Sequence, residues 1–454
     1  MIPTFQWQCE PKAEELALRL LTECCRSNET LAKLQKDLEK HTSSRLLDWV
    51  DHLMAAFSSS LEKELLESGY QPQHAGASYR VFSHPGAQLP RIALYDNEKS
   101  GRGVAVAVDS IADFLMMQAE LAWLEGSSLS GYRRACVATE NNTSFWVVER
   151  RGTETLEPLY QEGNFAEKVL GAIEKWKTRP RYLEEEEIAL RHAFIIAEEI
   201  VSLFGIDYTA WLVLAAERDF WQMKNTAGQM QKSRQDRLGM GWANHDHHTF
   251  RSTRRHFQHL VRFFEMLGFH CRERFYAGAE AGWGAQVMEN PRAELVLFLD
   301  VDLSPEEMEI DFAHHPLPEL PSLGTIGLWC ELHGESILQG GMHHLEAQFL
   351  FEDLAHDLGE KGIKVMEPFS NFSYLKQAFT EGEIWPVNPI RIEKLLKEGK
   401  ITLPQAEKFR QEGALGSHLE NLQRREGYKG FNQKNVSSII KKTDPRTTPP
   451  AGGA

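Results

Sequence analysis

The stretch Asn244-His245-Asp246-His247-His248-Thr249-Phe250-Arg251-Ser252 packs imidazoles, a carboxylate and a guanidinium into nine residues. As an extended strand its side chains alternate between two faces, so His245, His247, Thr249 and Arg251 share one, and Asp246, His248 and Phe250 the other. The first face offers imidazoles with a guanidinium about two pleats along, a set suited to a metal carrying an anionic ligand. A histidine-rich strand that is merely exposed, or whose imidazoles are hydrogen-bonded in a core, is the alternative reading of these residues taken alone.

Downstream, Arg254 to Leu267 places Phe257, Leu260, Val261, Phe264 and Leu267 on one helical stripe, and Gly268 ends it. Strand-like runs follow at Phe269 to Tyr276, Trp283 to Glu289 and Glu294 to Val301. Gly278, Gly282 and Gly284 fall between or within these runs, where turns and bulges explain them better than a phosphate cradle. The order is β-α-β-β-β. A second unit with the same beginning starts at His343-His344, where the spacing predicts a helix over Glu346 to Leu358, a stop near Gly362 and a strand over Ile363 to Met366. Repeated β-α-β-β-β units are the layout of the vicinal-oxygen-chelate architecture, in which paired modules curl into an open barrel around a metal held by strand residues.

Upstream, the fold class reads as α+β. Residues 1–180 form a helical and α/β region of undefined role, a cap or an oligomerisation unit, with helix over much of Pro11 to Gly69. Asp51-His52 is reminiscent of the later His units, but the periodicity from Leu46 to Leu66 predicts a plain helix there. Strands are expected at Tyr79 to Ser83, Arg91 to Tyr95, Val104 to Val108 and Phe145 to Glu149, with a helix over Ile111 to Glu125. Pro180 breaks the chain, and residues 181–238 read as a helical connector whose glutamates Glu184 to Glu187 suit a helix start. In it, Phe220 to Asn225 and Gln231 to Arg237 mix basic and aromatic residues, read as a solvated helix face rather than an RNA-binding strip. Residues 239–440 form the metal-binding unit, and residues 441–454 a disordered tail.

The 454 residues are 42% hydrophobic and 25% charged, an ordinary globular composition long enough for more than one core. Fifty basic residues against 65 acidic ones give a net charge of −15, which repels phosphate backbones and anionic lipid and argues against nucleic acid or membrane as partners. The start, Met1 to Glu10, shows no export signal, and the apolar run Phe194 to Ala216 is interrupted by Glu198, Glu199 and Asp207, so a cytoplasmic protein is expected. Six cysteines without a C-x-x-C pair indicate reduced core residues rather than disulfides or a thiolate metal site. Oligomeric state is left open.

Asp246-His247-His248-Thr249-Phe250-Arg251 resembles the Asp-His-x-Ala-Phe-Arg motif of the 2-oxoadipate dioxygenase/decarboxylase family, distant vicinal-oxygen-chelate proteins. His343-His344-Leu345-Glu346 is similar to that family's Asn-His-Leu-Asp segment. Ser417-His418-Leu419-Glu420, followed by Arg424-Arg425-Glu426-Gly427-Tyr428 and Asn432, is similar to the region that supplies its carboxylate ligand. The resemblance covers roughly residues 240 to 440, and Thr249 replaces the motif's alanine. It implies His247, His344 and Glu420 as ligands of Fe(II), with Glu426 in reserve for the carboxylate, and Arg251 as the clamp for a substrate carboxylate. The implied reaction is the dioxygen-dependent decarboxylation of a 2-oxo acid such as 2-oxoadipate to a 2-hydroxy acid. Two imidazoles and a carboxylate leave room on the metal for both oxygens of a 2-oxo acid and for dioxygen. A glyoxalase-like isomerase or extradiol-type enzyme on the same architecture, and a non-catalytic binding protein with structural histidines, are the competing readings.

Overall fold

Val50–Ala56, inside the stretch whose spacing predicts helix, is a strand (β1) in the computed structural model, which describes residues 6–76, 78–96, 101–182, 185–432 and 443–446. It lies between two other strands and is buried on both faces. Such a strand carries a nearly continuous apolar run, which periodicity alone does not separate from buried helix. The plain-helix expectation for Leu46 to Leu66 is therefore corrected: Leu46–Trp49 is a short 3₁₀ turn, β1 follows, and the helix is confined to Ser59–Glu67, capped by Ser58.

Seven more strands complete the N-terminal sheet: β2 (Gln71–Ala75), β3 (Tyr79–Ser83), β4 (Arg91–Tyr95), β5 (Arg102–Ala107), β6 (Leu124–Glu125), β7 (Tyr132–Glu140) and β8 (Thr143–Arg150). Their order is β2-β3-β4-β1-β5-β8-β7-β6. The helix Ser59–Glu67 follows β1, and Ile111–Gln118 follows β5. The sheet is thus two β-α-β-β-β modules joined through the antiparallel β1–β5 pair.

The C-terminal half repeats this plan with β9 (His245–Arg251), β10 (His270–Tyr276), β11 (Trp283–Asn290), β12 (Leu295–Asp302), β13 (His344–Gln348), β14 (Ser370–Asn371), β15 (Leu375–Phe379), β16 (Glu383–Trp385) and β17 (Ala414–Arg424). The order is β10-β11-β12-β9-β13-β17-β15-β14, with β16 on β17. The first module matches the sequence reading nearly residue for residue, its helix Arg254–Met266 burying Phe257, Leu260, Val261 and Phe264. The second departs from it. His344–Gln348 is strand, so Glu346 lies on β13 and not at a helix start, and the helix begins at Phe351. Ile363 to Met366 makes a single bridge, Val365 to Thr380, rather than a strand.

The matching extends to irregularities. β1 pairs β5 with a register shift between Val50 and His52, and β9 pairs β13 with one between His245 and His247. Asp51-His52 thus occupies the place of Asp246-His247, and the resemblance that the helix reading set aside is structural. Asp51 accepts from Arg150 Nε at 2.6 Å and Nη2 at 2.8 Å, and contacts His52 Nδ1 at 2.6 Å. Burial opposes ionisation of Asp51, but Arg150, His52 and Arg91 outweigh it and hold its carboxyl well below the usual range. Asp51→Ala removes the close carboxylate partner of Arg150, leaving it the Thr153 and Thr155 carbonyls, and is expected to cost about 3–5 kcal/mol in urea unfolding; a loss near zero would mean water reaches the arginine.

The helices Phe165–Lys177, Glu186–Phe204, Ile206–Gln222 and Thr226–Asp236 link the halves. Glu185 to Glu187 begin the second of these, as read, while Glu184 lies outside the described residues. The solvated-face reading of Phe220 to Asn225 and Gln231 to Arg237 is corrected in part: Met223, Ser233, Asp236 and Arg237 are exposed, but Trp221, Gln231, Arg234 and Gln235 are buried, and Arg234 holds Asp357 while Gln231 donates to the Thr42 carbonyl. Part of the tail expected to be disordered is placed, with Asp444 accepting from Thr325 and Arg446 donating to the Leu323 carbonyl; the rest of 441–454 lies outside the described residues. The six cysteines are free, but only Cys24 and Cys330 are buried. No described helix is long and apolar enough to cross a membrane.

Candidate metal centre

Register builds the site. β9 pairs β13 with His247 opposite Glu346, and β13 pairs β17 with Glu346 opposite Glu420. One cross-strand row is therefore His247, Glu346, Glu420 and, on β15, Phe379. The adjoining row is Phe298, Thr249, His344 and His418. Residues two apart on a strand share a face, so both rows line one side of the sheet. Here His247 Nε2 lies 2.5 Å from Glu346 Oε2, and His344 Nε2 lies 2.8 Å from both Glu420 Oε2 and Thr249 Oγ1. Ligand atoms of His247, His344 and Glu420 all lie within 4.8 Å of one another.

The surroundings hold these groups in place. Asp246 reaches His247 Nδ1 at 3.2 Å and is itself held by Arg424 at 3.2 and 3.3 Å, the carboxylate–imidazole pairing that orients metal-binding histidines. Gln377 donates to Glu420 Oε1 at 3.3 Å. Phe298 and Phe431 close over His247, and the helix Thr325–His333 fills the concave side with Trp329. Burial pushes the Glu420 carboxyl up to about 7 and holds the Glu346 carboxyl well above its usual range, with the neighbouring Glu420 adding to it, while it pulls the His344 imidazole well below its usual range. Two carboxylates and two imidazoles crowded in a buried site, with no thiolate, fit a hard or borderline divalent cation, whose charge would offset what burial costs the carboxylates.

Arg251 lies one row further on, opposite Asp300 of β12. Its Nε is 3.6 Å from Asp300 Oδ2, its guanidinium is 5.5 Å from the Trp329 ring, and its Nη1 has no hydrogen-bond partner among the described residues. Burial pushes Asp300 up to about 7 despite the arginine beside it. Arg251 thus keeps capacity for a second anion.

His245 does not join this face. The register shift turns it to the far side of β9, where its ring meets His248 at 5.1 Å and Arg218 Nη1 at 3.4 Å, beside a cavity of about 530 Å³ between the two halves. Glu426 is also elsewhere: beyond β17, in a left-handed turn where its backbone N–H meets Glu14. Glu346 and His418 were missed as site residues, the first because its strand was read as helix. In the N-terminal sheet the corresponding places are held by His52, Ala105, Trp146, Gly103 and Ser144. One imidazole survives there, and no equivalent ligand set.

No protein-family model and no curated protein matches this sequence. Among solved structures, a putative hydrolase from Shewanella frigidimarina is similar at 16% identity over 49% of this chain and 97% of its own, TM-score 0.33. A mutant 4-hydroxymandelate synthase from Streptomyces coelicolor is similar at 11% identity over 87% of this chain and 98% of its own, TM-score 0.30. Methylmalonyl-CoA epimerase from Mycobacterium tuberculosis follows at 10% identity over 40% and 89%, TM-score 0.23. These likenesses are distant, and the architecture of paired β-α-β-β-β modules rests on the strand order itself.

Proposed function

We propose that the chain is a metal-dependent enzyme, an Fe(II) dioxygenase/decarboxylase acting on a 2-oxo diacid such as 2-oxoadipate. The observation that carries this reading is the convergence of His247, His344 and Glu420, from three neighbouring strands, with Arg251 on the same face. Iron(II) held by these residues would supply the activation of dioxygen that converts a 2-oxo acid to carbon dioxide and a 2-hydroxy acid one carbon shorter. The polypeptide's part is orientation and exclusion of water. Arg251 binds the substrate's distal carboxylate through its planar fork, Asp246 and Gln377 fix His247 and Glu420, and Phe298, Phe431 and Trp329 keep the face dry.

Glu346 favours a second reading. A fourth protein ligand leaves fewer positions for substrate and dioxygen together, and suits a glyoxalase-like isomerisation in which one carboxylate moves a proton. The test is oxygen consumption by the iron-loaded chain with a panel of 2-oxo acids. A six-carbon diacid is expected to outperform its monoacid analogue, and Arg251→Lys to lower kcat/KM for the diacid by about 10–100-fold with iron content unchanged, because the charge remains and the bidentate fork is lost. No oxygen uptake with any 2-oxo acid at full iron occupancy would leave the isomerase reading.

A further inference from the structure

His343 and His418 stand beside the proposed metal centre, and the reaction above uses neither. Both are buried. His343 Nδ1 lies 3.0 Å from the carbonyl of Gly416, which also accepts from Trp329 Nε1 at 2.7 Å. A carbonyl only accepts, so Nδ1 carries the proton and Nε2 presents a lone pair. That Nε2 has no hydrogen-bond partner among the described residues. A ring with one nitrogen bonded to a backbone carbonyl and the other bare is dressed as a metal ligand. Neither nitrogen of His418 has a partner among the described residues, and His344 Nδ1 has none. The His418 ring is stacked on Phe379 at 4.1 Å and on His344 at 5.1 Å, which fixes its plane. Leaving that many buried imidazole nitrogens unpaired is costly unless something binds them.

We propose that His343, His344 and His418 form a second, all-imidazole cation site, distinct from that of His247, His344 and Glu420 and sharing His344 with it. Each of the three histidines offers a ring nitrogen within 4.8 Å of the other two. Three neutral nitrogen donors without a carboxylate prefer borderline ions such as Cu(II), Zn(II), Ni(II) or Co(II) over ions that favour oxygen. A neutral imidazole has one lone pair, so His344 serves one ion at a time. The two positions are therefore alternatives: an ion on the three histidines withdraws His344 from the first site. The cradle depends on Gly416, where an added Cβ would stand 2.0 Å from the Trp385 ring and displace the carbonyl that holds His343.

The experiment uses the full chain, stripped of metal, with Cu(II) as the probe, read by equilibrium dialysis and by electron paramagnetic resonance, whose nitrogen splittings count bound imidazoles. Glu420→Gln disables the first site and should still bind one Cu(II) per chain with splittings from three nitrogens. Adding His418→Gln to that variant should weaken binding by roughly tenfold or more and reduce the nitrogen count. Near-ultraviolet circular dichroism matching the parent shows that each variant is folded; His343→Gln replaces His418→Gln if it does not. Equal Cu(II) binding by Glu420→Gln and the double variant overturns the proposal, as do two Cu(II) ions held at once by the parent chain. The proposed function fails separately: His418→Gln alone would abolish Fe(II) binding while Glu420→Gln leaves it intact.

Discussion

Alanine in place of His247 should lower Fe(II) affinity by at least about 100-fold, and alanine in place of His344 should do the same. Removing an outer partner of a ligand typically costs about 10–100-fold, and these changes remove the ligands themselves. His247 is the better oriented of the two, backed by Asp246 and through it by Arg424, so its loss also leaves that buried carboxylate–arginine pair without the imidazole it positions. His248→Ala is the internal control. It is the next residue on β9, but it pairs Leu297 and Leu345 and faces the cavity between the halves. Anaerobic iron titration of the three variants checks the ranking. Full occupancy in both His247→Ala and His344→Ala would remove the proposed centre, and a requirement for His248 instead of His247 would reverse the register.

Glu420→Gln should reduce iron affinity by an order of magnitude or more while the fold persists, because glutamine keeps the shape and the contact with Gln377 but loses the ligand charge. Glu346→Gln should cost less if the site is a facial triad, since its carboxylate, although close to His247 Nε2, is then not a ligand. Equal losses in the two variants would point to two carboxylate ligands and to the isomerase reading. Glu426→Gln should have no effect on iron, as its turn lies beyond β17.

What was legible in the sequence tracks how local its cause is. The helix Arg254–Met266 announces itself because its single buried stripe shows in the spacing, and strands β10 to β12 because they are short β-rich runs bounded by Gly268, Gly278, Gly282 and Pro291. Strand alternation puts His247 and Arg251 on one face, whereas His344 and Glu420 were implied only by the family resemblance; the structure sets ligand atoms of His247, His344 and Glu420 within 4.8 Å of one another. What stayed hidden depends on neighbours far along the chain. β1 is buried on both sides, so its apolar run imitates a helix, and with it the modular plan of the N-terminal half disappeared. Glu346 lies between β9 and β17 through pairings that no local pattern encodes. His245 was placed on the wrong face by a single register shift, which a strict two-residue alternation does not anticipate.

The most direct measurement is anomalous diffraction at the iron edge from anaerobic crystals of the Fe(II)-loaded chain. The account predicts one peak per chain on the inner face of the C-terminal sheet, roughly 2 Å from nitrogens of His247 and His344 and from an oxygen of Glu420, with no peak beside His52 in the N-terminal sheet. A fully loaded crystal with its peak away from His247 and Glu420, on the three histidines alone or on the far side of β9, would contradict it.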